Sequence, residues 1–180
     1  MKLDREFYLM PATKAAPLLC GKLLCVKKSD GTVIKRRITE TECYFGEEDT
    51  ACHAHRGRTK RTEMLYSRGG VAYVYLCYGM HELLNVITGD KDHPEGVLIR
   101  GIEGAEGPGR LTKLLGIDRS FNGVSFFDSD IIWCEDDGFT AELTYSPRIG
   151  IAYAEEADRE RKWRFTIAKQ PSDKNSLDRS

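Results

Sequence analysis

No uninterrupted apolar run in this sequence approaches the roughly 18 to 20 residues that a membrane-crossing helix needs. The longest candidate, Val71–Tyr78, carries three tyrosines among its eight residues, which excludes such a helix there. The first ten residues, MKLDREFYLM, hold acids at Asp4 and Glu6 and no apolar segment followed by a small-residue cleavage site. They do not read as a secretory signal, so a cytoplasmic location is expected, nucleoid-associated in a bacterium or nuclear in a eukaryote. The six cysteines (Cys20, Cys25, Cys43, Cys52, Cys77, Cys134) include no C-x-x-C pair. Reduced, mostly buried thiols are therefore expected rather than a disulfide framework. Internal repeats and low-complexity segments are also missing. Net charge is nearly absent too: 27 basic and 28 acidic residues sum to −1, which by itself argues against a nucleic-acid binder, since such domains are usually basic.

That average hides an asymmetry. From His55 to Arg68 there are five bases, Arg56, Arg58, Lys60, Arg61 and Arg68, against the single acid Glu63, whereas Asp128–Glu142 holds six acids and no base. One face is expected to attract a polyanion and another to repel it. With 180 residues, 41% hydrophobic, the chain is long enough to bury a real core and reads as one domain spanning 1–180. Its polar end, 171–180, is expected to be a disordered tail.

Pro11–Leu19 has Ala-rich helical composition and stops at Gly21. Lys22–Lys28 and Thr32–Tyr44 are strand-like runs joined by Ser29-Asp30-Gly31, where Asp-Gly suits a tight hairpin turn. Val71–Tyr78, Leu83–Thr88 and Val97–Glu103 follow as further strands, separated by glycines too closely for helical crossovers. Pro108–Leu115 reads as a helix with Pro in its first turn and Gly116 at its end, and Arg148–Tyr153 and Trp163–Ala168 as late strands. The expected architecture is α+β: a twisted, mainly antiparallel β-sheet with flanking helices and a protruding β-hairpin.

The most unusual window is Glu40-Thr41-Glu42-Cys43-Tyr44. In a strand, Glu40, Glu42 and Tyr44 share one face, so two carboxylates and a phenol line up on the same side. His53 follows nine residues after Tyr44, and Tyr73, Tyr75 and Tyr78 add rings on β geometry. A carboxylate beside several rings suits an enzyme that holds a flat π-system and activates a water against the atom attached to it. On periodicity alone the rings read better as half-buried sheet residues, their usual role in a strand.

These residues, together with Cys52-His53, Tyr78-Gly79-Met80, Asn85, Val97-Leu98-Ile99-Arg100, Gly107-Pro108 and Arg148-Ile149-Gly150-Ile151, form an ordered set that resembles the alkyladenine (3-methyladenine) DNA glycosylases from about Leu23 to Ile167. The resemblance implies an enzyme without cofactor or metal that extrudes alkylated purines from double-stranded DNA and hydrolyses the N-glycosidic bond, acting as a monomer with no membrane partner. It implies that Glu42 activates the water, with Glu40 in a supporting role, and that Arg100 helps hold the water and the neighbouring DNA. Tyr44, His53 and Tyr75 then sandwich the base, Asn85 lies at the pocket floor, and Tyr78 is the wedge, with Met80 and His81 beside it. Arg56, Lys60 and Arg61 fall in the DNA-backbone segment, where Thr59-Lys60-Arg61-Thr62 replaces the frequent T-P-R-N.

Two other readings compete. Zinc on Cys43, Cys52, His53 and His55 is poorly supported, because adjacent ligands at 52 and 53 point in different directions. A non-catalytic nucleic-acid-binding module fits the rings and bases, but leaves Glu42 unexplained in the middle of a polyanion site.

Overall fold

The computed structural model of the protein describes residues 1–168. Two short helices come first, α1 (Arg5–Tyr8), whose first turn is capped by the Asp4 carboxylate, and α2 (Ala12–Leu19), which buries Ala12, Ala15, Ala16 and Leu19. Strand β1 (Leu23–Lys27) then turns through Asp30-Gly31 into β2 (Val33–Phe45), the longest strand and the spine of the sheet. Asp30 accepts from the Thr32 N–H and Gly31 adopts φ +85°, the left-handed conformation that Asp-Gly supplies without strain. The chain continues through β3 (Ala72–Cys77), β4 (His81–Ile87), β5 (Glu95–Ile102), β6 (Ala105–Glu106), helix α3 (Pro108–Leu115), β7 (Ile132–Glu135), β8 (Leu143–Ser146), helix α4 (Glu156–Glu160) and β9 (Arg164–Ile167).

Every strand pairing is antiparallel, in the order β3-β4-β5-β2-β1-β7, with β6 on β5, β9 on β2 and β8 on β9. The mixed α+β architecture expected from the sequence is therefore present. β1 pairs with the first half of β2, while β5 and β9 both pair with Glu40, Thr41 and Glu42 in its second half. The register with β5 slips around Glu40; such a bulge bends a strand and re-aims its side chains. A core of aliphatic residues, including Ile38, Leu84, Val86, Val97 and Ile99, joins the sheet to α2 and to Leu111 and Leu115 of α3.

The structure corrects the expected strand at Arg148–Tyr153: this segment is a loop. The Arg148 guanidinium turns inward, donating to Asp49 Oδ2 at 2.6 Å and Oδ1 at 2.8 Å and to the Cys43 carbonyl at 2.8 Å. Gly150 then bends the backbone with φ +78°. The acidic stretch is also less one-sided than its composition suggests. Asp128, Asp130, Glu135, Asp136 and Asp137 pair with Arg5, Lys27, Lys35, Lys22 and Arg37, and β7 lies within it. The tail expected at 171–180 lies outside the described residues. Among the described residues no helix is long and apolar enough to cross a membrane.

The Asp49–Arg148 pair is fully enclosed, so removing one partner strands the other charge. Asp49→Ala is expected to lose about 3–5 kcal/mol of unfolding free energy in urea denaturation, and the double variant Asp49→Ala/Arg148→Met less than that. A single variant as stable as the parent would contradict this account.

Candidate active site

β2 carries Glu40, Glu42 and Tyr44 in alternation, and Tyr44 faces the cavity described below. Glu42 has no solvent exposure, and its carboxylate is held from two sides: Oε1 accepts from the Ile149 N–H at 2.8 Å, and Oε2 from the Tyr44 hydroxyl at 2.9 Å. Arg100, on β5, stands with Nε 3.5 Å from Glu42 Oε1 and 3.0 Å from Glu40 Oε1. Burial pushes the Glu42 carboxyl above the ordinary glutamate value of 4.5, against the opposing pull of Arg100, the Ile149 N–H and Tyr44. Each carboxylate oxygen has two lone pairs, so both retain accepting capacity beyond these bonds.

The cleft is walled by rings. His53 sits on a single 3-10 turn (His53–Arg56), and its ring meets Tyr75 edge-to-face with centroids 4.6 Å apart. The centroids of Tyr73 and Tyr75 are 5.4 Å apart, and His53 Nδ1 is 3.2 Å from the Tyr73 hydroxyl. His53 keeps a solvent-facing side, yet dehydration of its cleft side and the nearby Arg61 push it below the usual imidazole value of 6.5. Burial raises the phenols: Tyr73 to about 12, and Tyr44 and Tyr75 also upward. All four rings are therefore uncharged at neutral pH. Arg148 lies over the Tyr44 ring at 4.8 Å and, being buried, backs it from the protein side.

These walls enclose about 760 Å³, lined among others by Tyr44, His53, Tyr75, Asn85, Arg100 and Ile149. That is within the usual range for a ligand pocket. Glu42 does not itself line the space; it lies directly behind Tyr44, Arg100 and Ile149, which do. Asn85 pairs across the sheet with Tyr73 and donates its amide to the Tyr73 carbonyl at 3.3 Å.

At the rim, β3 and β4 form a hairpin whose tip carries Tyr78 and Gly79, both with positive φ, +49° and +68°. Tyr78 is 88% exposed. A tyrosine in the left-handed region carries strain of about 1–2 kcal/mol, and such strain concentrates at functional positions.

Of the residues singled out from the sequence, Tyr44, His53, Tyr75, Asn85, Arg100, Tyr78, His81 and Arg61 border this cavity, with Glu42 behind it. Met80 is exposed at the hairpin tip, and Arg56 and Lys60 stand on the surface outside the lining. Within the basic stretch Arg58 is taken up by Glu63 and Asp92; Arg56, Lys60, Arg61 and Arg68 form no ion pair among the described residues. Sequence reasoning missed Ile149 and Tyr153, both exposed and lining the cavity. Gly150, in a segment taken for a strand, was the available signal of a turn there. Among the described residues no three His, Cys, Asp or Glu side chains converge as a cation would require.

A sequence profile of the methylpurine-DNA glycosylase family matches residues 6–106 and 103–171. Relatives named "Putative 3-methyladenine DNA glycosylase" include one from Borrelia garinii subsp. bavariensis, 44% identical over 178 residues, covering 92% of this chain and 95% of that protein. One from Psychrobacter cryohalolentis is 42% identical over 181 residues, covering 84% of this chain and 85% of its own. One from Clostridium perfringens strain SM101 is 41% identical over 198 residues, covering 93% and 96%. With the profile and relatives of this identity spanning nearly the whole described fold, the chain belongs to the methylpurine-DNA glycosylase family.

Proposed function

We propose that the protein excises alkylated purines, 3-methyladenine among them, from double-stranded DNA by hydrolysis, with Glu42 as general base. The observation that carries this reading is the placement of a fully buried carboxylate immediately behind a ring-walled cavity, under an exposed tyrosine at the tip of a hairpin.

The target base is inaccessible while stacked, so it is extruded into the cavity; unstacking takes a few kcal/mol, least for damaged or mispaired bases. Tyr78 fills the vacancy in the duplex, where an inserted ring stabilises the kinked, unstacked state. Stacking on Tyr44, Tyr75 and His53 contributes on the order of 1–3 kcal/mol per base. A methylated, cationic purine gains a further ~0.5–2 kcal/mol from uncharged ring faces. The low basicity of His53 matters here, since an imidazolium would repel that cation.

Glu42 takes a proton from water as the oxygen bonds to C1′ of the sugar, and the C1′–N bond breaks with its electron pair passing to the base. A cationic base thereby leaves neutral, with no acid required. The two terminal amino groups of Arg100 make no hydrogen bond among the described residues and are free to hold the water or an adjacent phosphate. Arg56, Lys60 and Arg61 extend a basic rim toward the DNA backbone, which makes affinity salt-dependent. The reading is of a monomer, since excision of one base calls on one cavity and one carboxylate. No cofactor enters this chemistry.

Glu42→Gln is expected to keep lesion binding and lower single-turnover excision by about 10²–10⁴-fold, the usual worth of a general base; excision at the parent rate would exclude the role. Because burial raises the Glu42 carboxyl, the acid limb of excision should lie above pH 4.5, with activity lost as pH falls through it. A limb at ordinary glutamate pH would contradict that environment. Tyr78→Ser should weaken binding to lesion duplex at least several-fold in a fluorescence titration, whereas unchanged binding would remove the wedge.

A further inference from the structure

Arg100 faces two carboxylates with one N–H. Its Nε is nearer to Glu40 Oε1, at 3.0 Å, than to Glu42 Oε1, at 3.5 Å. The same Glu40 oxygen also accepts from Arg164 Nε on β9, at 2.5 Å, and Arg164 is steadied by Ser146 at 3.3 Å. Three charged groups thus form a chain from β9 to β5 that ends beside Glu42. The bulge in β2 at Glu40 and the double pairing of residues 40–42 by β5 and β9 hold this chain in register.

The chain has a chemical consequence. A full ion pair between Arg100 and Glu42 would stabilise the carboxylate and make it a poorer proton acceptor. Glu40 competes for the guanidinium and adds its own negative charge, while Arg164 limits how strongly Glu40 can pull. We propose that Glu40 is a positioning residue that, balanced by Arg164, withholds Arg100 from Glu42 so that Glu42 remains basic and the free amino groups of Arg100 stay turned to the cleft. This rests on Glu42 being the general base. The other groups acting on Glu42 are Tyr44 of β2, the Ile149 N–H of the loop, Tyr75 of β3 and Tyr153, none of which Glu40 contacts in its hydrogen bonds.

The test is the pH profile of single-turnover excision on methylated duplex for the parent, Glu40→Gln, Arg164→Met and Glu42→Gln. In Glu40→Gln the guanidinium is released onto Glu42, so the acid limb should move down by about one pH unit and the plateau should fall ~tenfold. In Arg164→Met the limb should move the opposite way, because Glu40 is left with Arg100 alone. A merely structural role would lower the active fraction without displacing the limb in opposite directions. If both limbs stay at the parent pH, or move together, while Glu42→Gln abolishes excision, the positioning role is overturned and the general base stands. If Glu42→Gln excises like the parent, both fall. Should Glu40→Gln not fold, Arg164→Met, altered at a partly exposed side chain, decides by the direction of its shift alone.

Discussion

The site depends on a carboxylate held without solvent. Isolated in a protein interior, an ionised glutamate is too poorly solvated to persist and would keep its proton. Here Glu42 receives two hydrogen bonds and the partial attention of one guanidinium, enough to support the anion but not enough to return it to ordinary acidity. Folding carries a consequence of definite sign. The folded state holds the Glu42 proton more tightly than the unfolded chain does, so this group's contribution to stability is present below pH 4.5 and is lost as pH rises through its raised value. Stability at neutral pH is given up for a carboxylate that binds its proton more tightly than an ordinary glutamate.

The rest of the fold can be read as what keeps that arrangement fixed. Strand β2 is paired on both sides where it carries Glu40 and Glu42, so these side chains are aimed by backbone hydrogen bonds rather than by loop contacts. The Asp49–Arg148 pair anchors the loop that supplies the Ile149 N–H, and the same guanidinium backs the Tyr44 ring whose hydroxyl supplies the second hydrogen bond. One enclosed ion pair therefore secures both donors. The hairpin tip is the opposite case: Tyr78 there is exposed and strained.

Much of this was legible in the sequence where the information is local. The Asp30-Gly31 turn, the glycines between the central strands and the Pro-to-Gly span of α3 each carry their own conformational instruction, and β2 alternates so that Glu40, Glu42 and Tyr44 share a face. What was not legible depends on distant partners. Ile149 lies 107 positions from Glu42 and Arg148 lies 99 from Asp49, so neither contact leaves a periodic trace, and the segment was taken for a strand because its branched residues suit one. β7 was hidden among acids whose charges are answered by bases on β1 and β2. Complete burial of Glu42 was equally invisible, since an acid in an alternating strand looks half-exposed until its neighbours are assembled.

The most direct measurement is to titrate the Glu42 side chain itself, by ¹³C NMR of the labelled carboxyl in the free enzyme, and to compare it with the acid limb of kcat/KM on a methylated duplex. Identity of the two, at a value above the 4.5 of an ordinary glutamate, is the predicted result. A carboxyl that titrates at 4.5 or below, or a kinetic limb that follows another group, would contradict the claim that Glu42 takes the proton from water.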